Sequence, residues 1–212
     1  MREIETIRIN NFELKLADSD DPIALKVSWI PAKPGGASIK MHQMEDAGSK
    51  IIVRRSGKAK LFASIFAIPG FCALFIGAPW AFTSGDIRSG IFAAVWGSLF
   101  GAAGWLLLRD KPFVFDRNAG VYFRGKTFNY NATIDSKNQG KLNSIHAIQL
   151  LSERINSGSD SGSGTYLSYE LNLVFKNAER LNVMDGGDEE YVQNSAKKLA
   201  SFLSVPVWKA SY

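Results

Sequence analysis

Two long apolar stretches interrupt an otherwise polar chain. Residues 61–85 (LFASIFAIPGFCALFIGAPWAFTSG) and 89–108 (SGIFAAVWGSLFGAAGWLLL) contain no charged side chain. A helix rises ~1.5 Å per residue, so about 20 apolar residues cross a hydrocarbon layer of ~30 Å. The pattern therefore predicts two membrane-spanning helices, at residues 61–82 and 90–108. Two buried helices of a soluble core are the alternative, but so short a chain has no second layer that covers both on all sides.

The connection between the two stretches is short. Only residues 83–90 separate them, and this segment contains two glycines. Connections of this length join neighbouring antiparallel helices, so the pattern predicts a helical hairpin. Pro69 and Pro79 would break a helix in water, but neighbouring groups in a bilayer can satisfy the freed carbonyl oxygens. We therefore expect a bent first helix.

The chain before this hairpin alternates between apolar and polar positions, which is typical of strands. Three runs have this period, at residues 7–9, 12–16 and 23–29. Asn10 and Asn11 favour a turn between the first two runs, and residues 31–36 (PAKPGG) end the third. The pattern predicts three strands.

The chain after the hairpin also reads as strands. Residues 113–115 and 121–123 flank a five-residue loop that ends in glycine, which predicts a β-hairpin. Longer strand-like runs follow at residues 144–155, 166–175 and 179–184. These runs predict three more strands.

The period changes near the end of the chain. Val192, Ala196, Leu199 and Leu203 recur at helical spacing, and acidic residues precede them. Acidic side chains stabilise a helix N-terminus, and one apolar stripe lets a helix lie on a sheet. We therefore predict an amphipathic helix over residues 188–204.

These elements predict an α+β membrane protein. A transmembrane helical hairpin, residues 61–108, would be inserted into a β-rich cytoplasmic domain that carries a C-terminal amphipathic helix. Residues 1–60 and 109–212 would supply the two parts of that domain. A segment of sixty residues whose strands need partners is marginal alone, so we expect the two parts to pair.

Charge gives the hairpin a direction. The formal net charge is +5, and residues 61–108 hold only two charged side chains, Asp86 and Arg88. Cations flank the hairpin on both sides, and we call six of them the basic collar: Arg54, Arg55, Lys58, Lys60, Arg109 and Lys111. Positive charge stays on the cytoplasmic side of a membrane, so we expect both termini in the cytoplasm. Attraction of anionic lipid head groups is an alternative use of these cations.

Small residues predict how the two helices pack. Gly97, Gly101 and Gly104 recur along the second span, and Ala73 with Gly77 would form a matching groove in the first. Small side chains allow helix backbones to approach closely. Packing within one hairpin is the favoured interpretation, and a homodimer through the same face is the alternative.

Candidate chemistry is scarce. His42 and His146 are the only histidines, and the only cysteine, Cys72, lies inside the first span. Neither histidine has a second ligand at metal-binding spacing, and the chain has no nucleophile elbow, paired cysteines or phosphate-binding loop. The sequence predicts no catalytic, cofactor or metal site, no nucleic-acid binding, and a protein that is not an enzyme. We also expect no cleavable signal peptide, because residues 1–21 lack an apolar core.

Three segments carry a resemblance: residues 29–38 (WIPAKPGGAS), 113–125 (FVFDRNAGVYFRG) and 199–208 (LASFLSVPVW). With them the chain resembles a group of uncharacterised bacterial inner-membrane proteins that have a two-helix hairpin and a β-rich C-terminal part. The resemblance implies a two-span protein of the bacterial inner membrane. The order of strands and terminal helix is also similar to the pleckstrin-homology arrangement.

Two function classes remain. In the first, the cytoplasmic domain binds a protein partner at the bilayer, for example as an immunity protein against a membrane-directed or envelope-directed toxin. In the second, a membrane-anchored module binds lipid head groups through the basic collar or acts as a scaffold. The first class is the favoured hypothesis, although fold and topology alone do not define a function.

Overall fold

The computed structural model describes residues 6–9, 12–15, 21–33, 35–36, 38–109, 111–131, 135–157 and 164–211. The chain divides into two compact units. The β-rich unit combines Met1–Arg54 with Lys111–Tyr212, and the hairpin unit is Arg55–Asp110. Segments from both sides of the hairpin therefore build one unit.

The strands and helices of the described residues are as follows. The strands are β1 Thr6–Ile9, β2 Phe12–Lys15, β3 His42–Asp46, β4 Lys50–Arg55, β5 Phe113–Asp116, β6 Val121–Arg124, β7 Gln139–Lys141, β8 Ile145–Ser157, β9 Gly164–Phe175, β10 Arg180–Gly186 and β11 Val207–Ser211. The helices are α1 Gly57–Cys72, α2 Ala78–Thr83, α3 Ile87–Leu108 and α4 Glu189–Leu203, and a π-helical turn, Ala73–Gly77, joins α1 to α2.

The strands form two sheets, and each contains strands from both sides of the hairpin. The six-stranded sheet has the order β1-β2-β11-β8-β9-β10, and the five-stranded sheet has the order β3-β4-β5-β6-β7. In the larger sheet β11 pairs in parallel with β8, and the other pairings are antiparallel. In the smaller sheet β4 and β5 pair antiparallel, with Val53 opposite Phe113. The hairpin thus connects two neighbouring strands.

The main core lies between the two sheets and α4. Alternate residues of β9, Leu171 and Leu173, are fully buried in this core. The same cluster contains Phe115 of the smaller sheet and Leu199 of α4. Asp188 caps α4 by accepting a hydrogen bond from the Tyr191 backbone N–H at 3.0 Å. The predicted amphipathic helix and the mixed α+β class are confirmed.

A second cluster covers the opposite face of the six-stranded sheet. Residues 21–29 form turns instead of the predicted third strand, with the Val27 N–H donating to the Ile23 carbonyl at 2.9 Å. Ala24, Val27 and Trp29 are buried, whereas Leu25 is 65% exposed. The strand prediction for residues 23–29 was wrong because the apolar side chains point to the sheet at irregular spacing.

The other strand predictions have mixed outcomes. The runs at residues 7–9, 12–15, 113–115, 121–123, 144–155, 166–175 and 179–184 correspond to β1, β2, β5, β6, β8, β9 and β10. Leu16 and the Asn10–Asn11 turn lie outside the described residues. Strands β3, β4, β7 and β11 were not predicted. Strand β4 has buried Ile51 and Val53 at period two, but the cations around them hid this pattern.

The hairpin unit contains the two apolar helices. The helical segments Gly57–Thr83 and Ile87–Leu108 are long and apolar enough to cross a membrane. Pro69 lies inside α1, and the π-helical turn follows it. Both are common causes of a helix bend, and the bent first span stays a prediction. Gly85 has a φ of 80° in the turn, and the Asp86 carboxylate caps α3 by accepting from the Ser89 N–H at 3.1 Å.

Candidate functional site

The hairpin unit has small residues inside and large apolar residues outside. Its buried residues within the helices are Ala59, Ala63, Ala67, Gly70, Ala78, Ala81, Gly90, Gly97, Gly101 and Gly104. Large apolar side chains on both helices are exposed instead, among them Leu61, Ile65, Phe75, Trp80, Phe92 and Leu106. In water this distribution would leave a large apolar area unburied, whereas lipid is a favourable solvent for it.

Backbone contact explains the small residues. A Cβ atom added to Gly97 would lie 2.6 Å from the Leu74 backbone nitrogen. A Cβ atom at Gly70 would meet the backbone of Gly101, and one at Gly104 would meet Ala67. The two helices therefore approach closely along a seam that only glycine and alanine allow.

The predicted packing residues occupy different places relative to this seam. Gly97, Gly101 and Gly104 are buried in it. Ala73 and Gly77 are half-buried, and a Cβ atom on Gly77 would have its nearest neighbours at 3.9 Å. The first helix contributes Ala63, Ala67 and Gly70 instead, which recur every three or four residues in the sequence. That spacing is the signal that could have located the groove.

Aromatic rings follow one side of the hairpin. Phe62, Phe66, Phe100, Trp96 and Phe92 form a continuous row in which neighbouring ring centroids are 5.4–6.2 Å apart. A cleft of about 400 Å³ lies beside this row, and Pro69, Gly70, Ala73 and Gly97 contribute to its lining. The lining is apolar, so the cleft suits hydrocarbon and offers no group for chemistry.

The basic collar divides between the two units. Arg55, Lys58, Lys60 and Arg109 belong to the hairpin unit, at the ends of α1 and α3 away from the turn. Lys58 and Arg109 are exposed, and Arg55 and Lys60 are half-buried. Four cations at one end of an apolar hairpin match the polarity that anionic lipid head groups favour.

The two remaining collar residues belong to the β-rich unit. Arg54, in β4, forms an ion pair with Glu45 of the neighbouring β3, and both side chains are partly exposed. Lys111 precedes β5 and is exposed. Arg54 therefore has an internal partner, whereas Lys111 faces solvent.

The β-rich unit has a polar surface of its own on the face of the six-stranded sheet that lies opposite the main core. Five polar residues of this face are buried: Gln149, Ser168, Glu170, Asn172 and Asp185. Residues 30–33 together with Gly36, which we call the strap, contact this face at Glu170, Asp185 and the neighbouring Arg180 and Tyr166. Gln149 instead donates a hydrogen bond to the carbonyl of Ser28, which precedes the strap, at 3.0 Å. Burial lowers the pKa of Arg180 on the same face, against the opposing effect of the Glu170 charge.

The contacts between this face and its cover are made to backbone groups. The Glu170 carboxylate accepts hydrogen bonds from the N–H groups of Ala32 at 3.0 Å and Lys33 at 3.4 Å. Arg180 donates to the Ile30 carbonyl at 2.7 Å, and the Tyr166 hydroxyl donates to the Gly36 carbonyl at 3.0 Å. One ion pair, Lys33 with Asp185 at 3.2 Å, involves a strap side chain.

The histidines have structural partners. His146 Nε2 lies 2.7 Å from the Asp21 carboxylate, a pairing that connects residues 125 positions apart and that spacing could not reveal. Burial raises the pKa of Asp21, but hydrogen bonds from His146 and from the Ile23 N–H outweigh it and the net pKa is lowered. His42 Nδ1 contacts backbone atoms of Asp185. Within the described residues no group of three or more His, Cys, Asp or Glu could hold a metal ion.

A cavity of about 370 Å³ opens at one end of the β-rich unit. Tyr122 and Phe175 contribute aromatic surface, and Lys141 and Lys176 lie at its border. Burial raises the pKa of Tyr122 to about 12, so its hydroxyl stays protonated and donates to the Ser136 carbonyl at 3.0 Å. This cavity contains a positioned donor but no activated nucleophile.

Comparisons with known proteins do not add a function to this geometry. No protein-family model matches the chain, and neither a curated protein nor a solved structure matches it significantly. The functional argument therefore depends on the two surfaces described above, the apolar hairpin and the strap-covered face.

Proposed function

We propose that this protein is a non-enzymatic, two-span membrane protein whose β-rich unit binds a protein partner. One observation carries the proposal: the hairpin buries alanine and glycine and exposes its large apolar side chains. Such a surface is favourable in lipid and costly in water. The membrane would be the bacterial inner membrane, as in the proteins that the chain resembles.

The cations support an orientation. Lys58 and Arg109 are exposed at the open end of the hairpin, whereas the opposite end contains one acid and one base, Asp86 at the N-cap of α3 and Arg88 in its first turn. The open end would therefore lie on the cytoplasmic side, together with both termini and the β-rich unit. The specific role we favour is immunity against a membrane-directed or envelope-directed toxin, since a small anchored binding unit suits neutralisation at the bilayer.

Cysteine labelling tests the topology. In a chain whose Cys72 is replaced by serine, Ser84→Cys places a thiol in the turn and Asn177→Cys places one between β9 and β10. A membrane-impermeant maleimide should label the turn cysteine in intact spheroplasts, and the other one only after lysis. Labelling of Asn177→Cys in intact spheroplasts would contradict the orientation, and a purified chain that stays soluble without detergent would contradict membrane insertion.

The protein-partner role needs a test in cells. Deletion of the gene should sensitise cells to a toxin secreted by neighbouring cells, and the wild-type chain should restore resistance. A cognate toxin should co-purify with the full chain in detergent. Unchanged sensitivity to every toxin-secreting neighbour would contradict the immunity role while leaving the topology intact.

The exposed collar cations favour one second candidate, lipid head-group binding. The full chain, reconstituted into vesicles that contain phosphatidylglycerol and phosphatidylcholine, should then be enriched in the anionic lipid at low salt. The triple variant Lys58→Gln, Arg109→Gln, Lys111→Gln should lose this enrichment, and Lys137→Gln is the matched control at an exposed lysine elsewhere. Equal lipid preference in all three chains would contradict this candidate.

A further inference from the structure

The face of the six-stranded sheet opposite the main core has two different halves. Its apolar half contains Ala147, Leu151, Val174 and Trp208, and Trp29 closes over it with a ring centroid 6.1 Å from that of Trp208. Its polar half contains the buried Gln149, Glu170 and Asn172. The covering segment contacts both halves: Ser28 accepts a hydrogen bond from Gln149 at 3.0 Å, Trp29 packs on the apolar half, and the strap contacts the polar half at Glu170.

The cover of the polar half is attached by its backbone. Glu170 holds two consecutive N–H groups, and Arg180 and Tyr166 hold two carbonyl groups. Two strap side chains are largely exposed: Ile30 is 61% exposed, and the Lys33 side chain is 68% exposed although its Nζ pairs with Asp185. A surface that contacts mainly backbone can accept another segment of protein chain that bends in the same way and presents the same N–H and carbonyl groups.

The two halves of the cover should open with different ease. Displacing Trp29 would expose the apolar surface of its own ring and that of the sheet beneath it, and exposing apolar surface to water is unfavourable. Lifting the strap would expose carboxylate, amide and guanidinium groups, which water can hydrogen-bond in place of the lost partners. The strap is therefore the part of this cover that local opening releases first, while Trp29 stays in place.

One buried atom of the polar half is left without a partner. Asn172 is fully buried, its Nδ2 donates to Gln149 Oε1 at 3.5 Å, and its Oδ1 has no hydrogen-bond partner among the described residues. A buried acceptor without a hydrogen bond raises the free energy of the folded protein. A ligand that donates a hydrogen bond to Asn172 Oδ1 would therefore bind more favourably than the strap.

We propose that the polar half of this face is the partner-binding surface and that the strap occupies it in the free protein. The partner contributes a segment of protein chain that bends as the strap does, which displaces residues 30–33 and Gly36 and binds Glu170, Arg180 and Tyr166 through its backbone. A lysine or arginine in that segment pairs with Asp185, as Lys33 does at 3.2 Å. This inference rests on the proposed protein-binding function and names its site.

A peptide competition experiment on the full chain in detergent tests the proposal. The probe is a fluorescein-labelled peptide of residues 30–38 (IPAKPGGAS). Ala32→Pro in the chain removes an N–H group that donates a hydrogen bond to Glu170. This substitution should loosen the strap and leave the sheet unchanged. Ala32→Ser is the matched control, because Ala32 is exposed and serine keeps that N–H.

The A32P chain should bind the peptide at least tenfold more tightly than the wild-type and A32S chains. Adding Glu170→Ala to A32P should abolish the binding. Binding that is equal in wild type and A32P, or absent from both, would overturn the proposal. Near-ultraviolet circular dichroism of the aromatic side chains, which include the buried Trp29 and Trp208, checks that each variant is folded.

Hydrogen exchange on the wild-type chain tests the opening of the strap without any substitution. The amides of Ala32 and Lys33 should exchange at least a hundredfold faster than those of Leu171 and Leu173 in β9. Exchange at equal rates would mean that the strap opens only with the whole unit, and it would overturn the proposal. The topology experiments are independent of this result, so either proposal can fail alone.

Discussion

The two units of this protein distribute their side chains in opposite ways. The β-rich unit buries aromatic and large aliphatic residues such as Phe115, Leu173 and Trp208. The hairpin unit buries glycine and alanine and exposes phenylalanine, leucine and tryptophan. In the first unit burial of apolar area supplies the main stabilising free energy. In the second, the buried residues are small and the helix backbones lie in close contact, an arrangement typical of helices in lipid.

Burial alone therefore does not identify the stabilising residues of this chain. A leucine of the sheet and a leucine of α3 have the same side chain but different roles. A glycine of the seam and a glycine of the π-helical turn likewise differ in what surrounds them. Matched substitutions at such positions can test the contrast directly.

The largest expected effect concerns leucine. Leu173 is fully buried and Leu99 is 60% exposed. Leu173→Ala should lower the free energy of unfolding by about 2–5 kcal/mol, because it removes core contacts and leaves a cavity. Leu99→Ala should change it by less than about 0.5 kcal/mol. Urea unfolding of the full chain in detergent measures both, and equal losses would contradict the contrast between the units.

A smaller effect is expected for glycine. A Cβ atom at Gly97 would lie 2.6 Å from a backbone nitrogen, whereas one at Gly77 would lie 3.9 Å from its nearest neighbouring atoms. Gly97→Ala should therefore destabilise the hairpin by about 1–3 kcal/mol. Gly77→Ala should be neutral or slightly stabilising, since alanine favours helix. Titration with sodium dodecyl sulfate, monitored by tryptophan fluorescence, measures the stability of the hairpin. A loss of stability in Gly77→Ala as large as that in Gly97→Ala would contradict a close helix contact specific to the seam.

The smallest effect depends on pH and belongs to the β-rich unit. A hydrogen bond from Lys50, with an ion-pair distance of 2.9 Å, and one from the Ala119 N–H hold the pKa of Asp116 below its usual range. The unfolded chain therefore takes up the proton first on acidification, and this stabilisation is lost as the pH falls through the folded pKa. The exposed Lys50 side chain limits its size.

Asp116→Asn and Lys50→Met should both flatten the dependence of stability on pH between about pH 5 and pH 2. Thermal unfolding at each pH gives the slope, and the Arg88→Gln variant in the first turn of α3 serves as the control with an unchanged slope. An undiminished slope in Asp116→Asn would show that other carboxylates cause the acid dependence.

The sequence was sufficient to predict the features that depend on neighbouring residues. The hairpin follows from two charge-free stretches, and α4 follows from its apolar period and its acidic start. Strands β8 and β9 are long enough for their alternation to show. Patterns of this kind lie within a few neighbouring residues, so they can be recognised in a short stretch of the sequence.

The remaining features depend on distant residues. Strand β11 is five residues long and exists because β8 and β2 lie on either side of it. The proline-rich segment from Pro31 was predicted only as a breaker, whereas its position depends on Glu170, which is 138 residues from Ala32. The pairing of His146 with Asp21 is equally remote. No local pattern encodes these contacts.

The pairing of β2 with β11 has a consequence for biosynthesis. Lys15 lies opposite Lys209, so the N-terminal strands cannot complete their sheet until the ribosome has delivered the segment that follows α4. The hairpin emerges well before that moment. During translation the chain therefore carries unpaired strand edges, and such edges are the targets of chaperones and of misassembly.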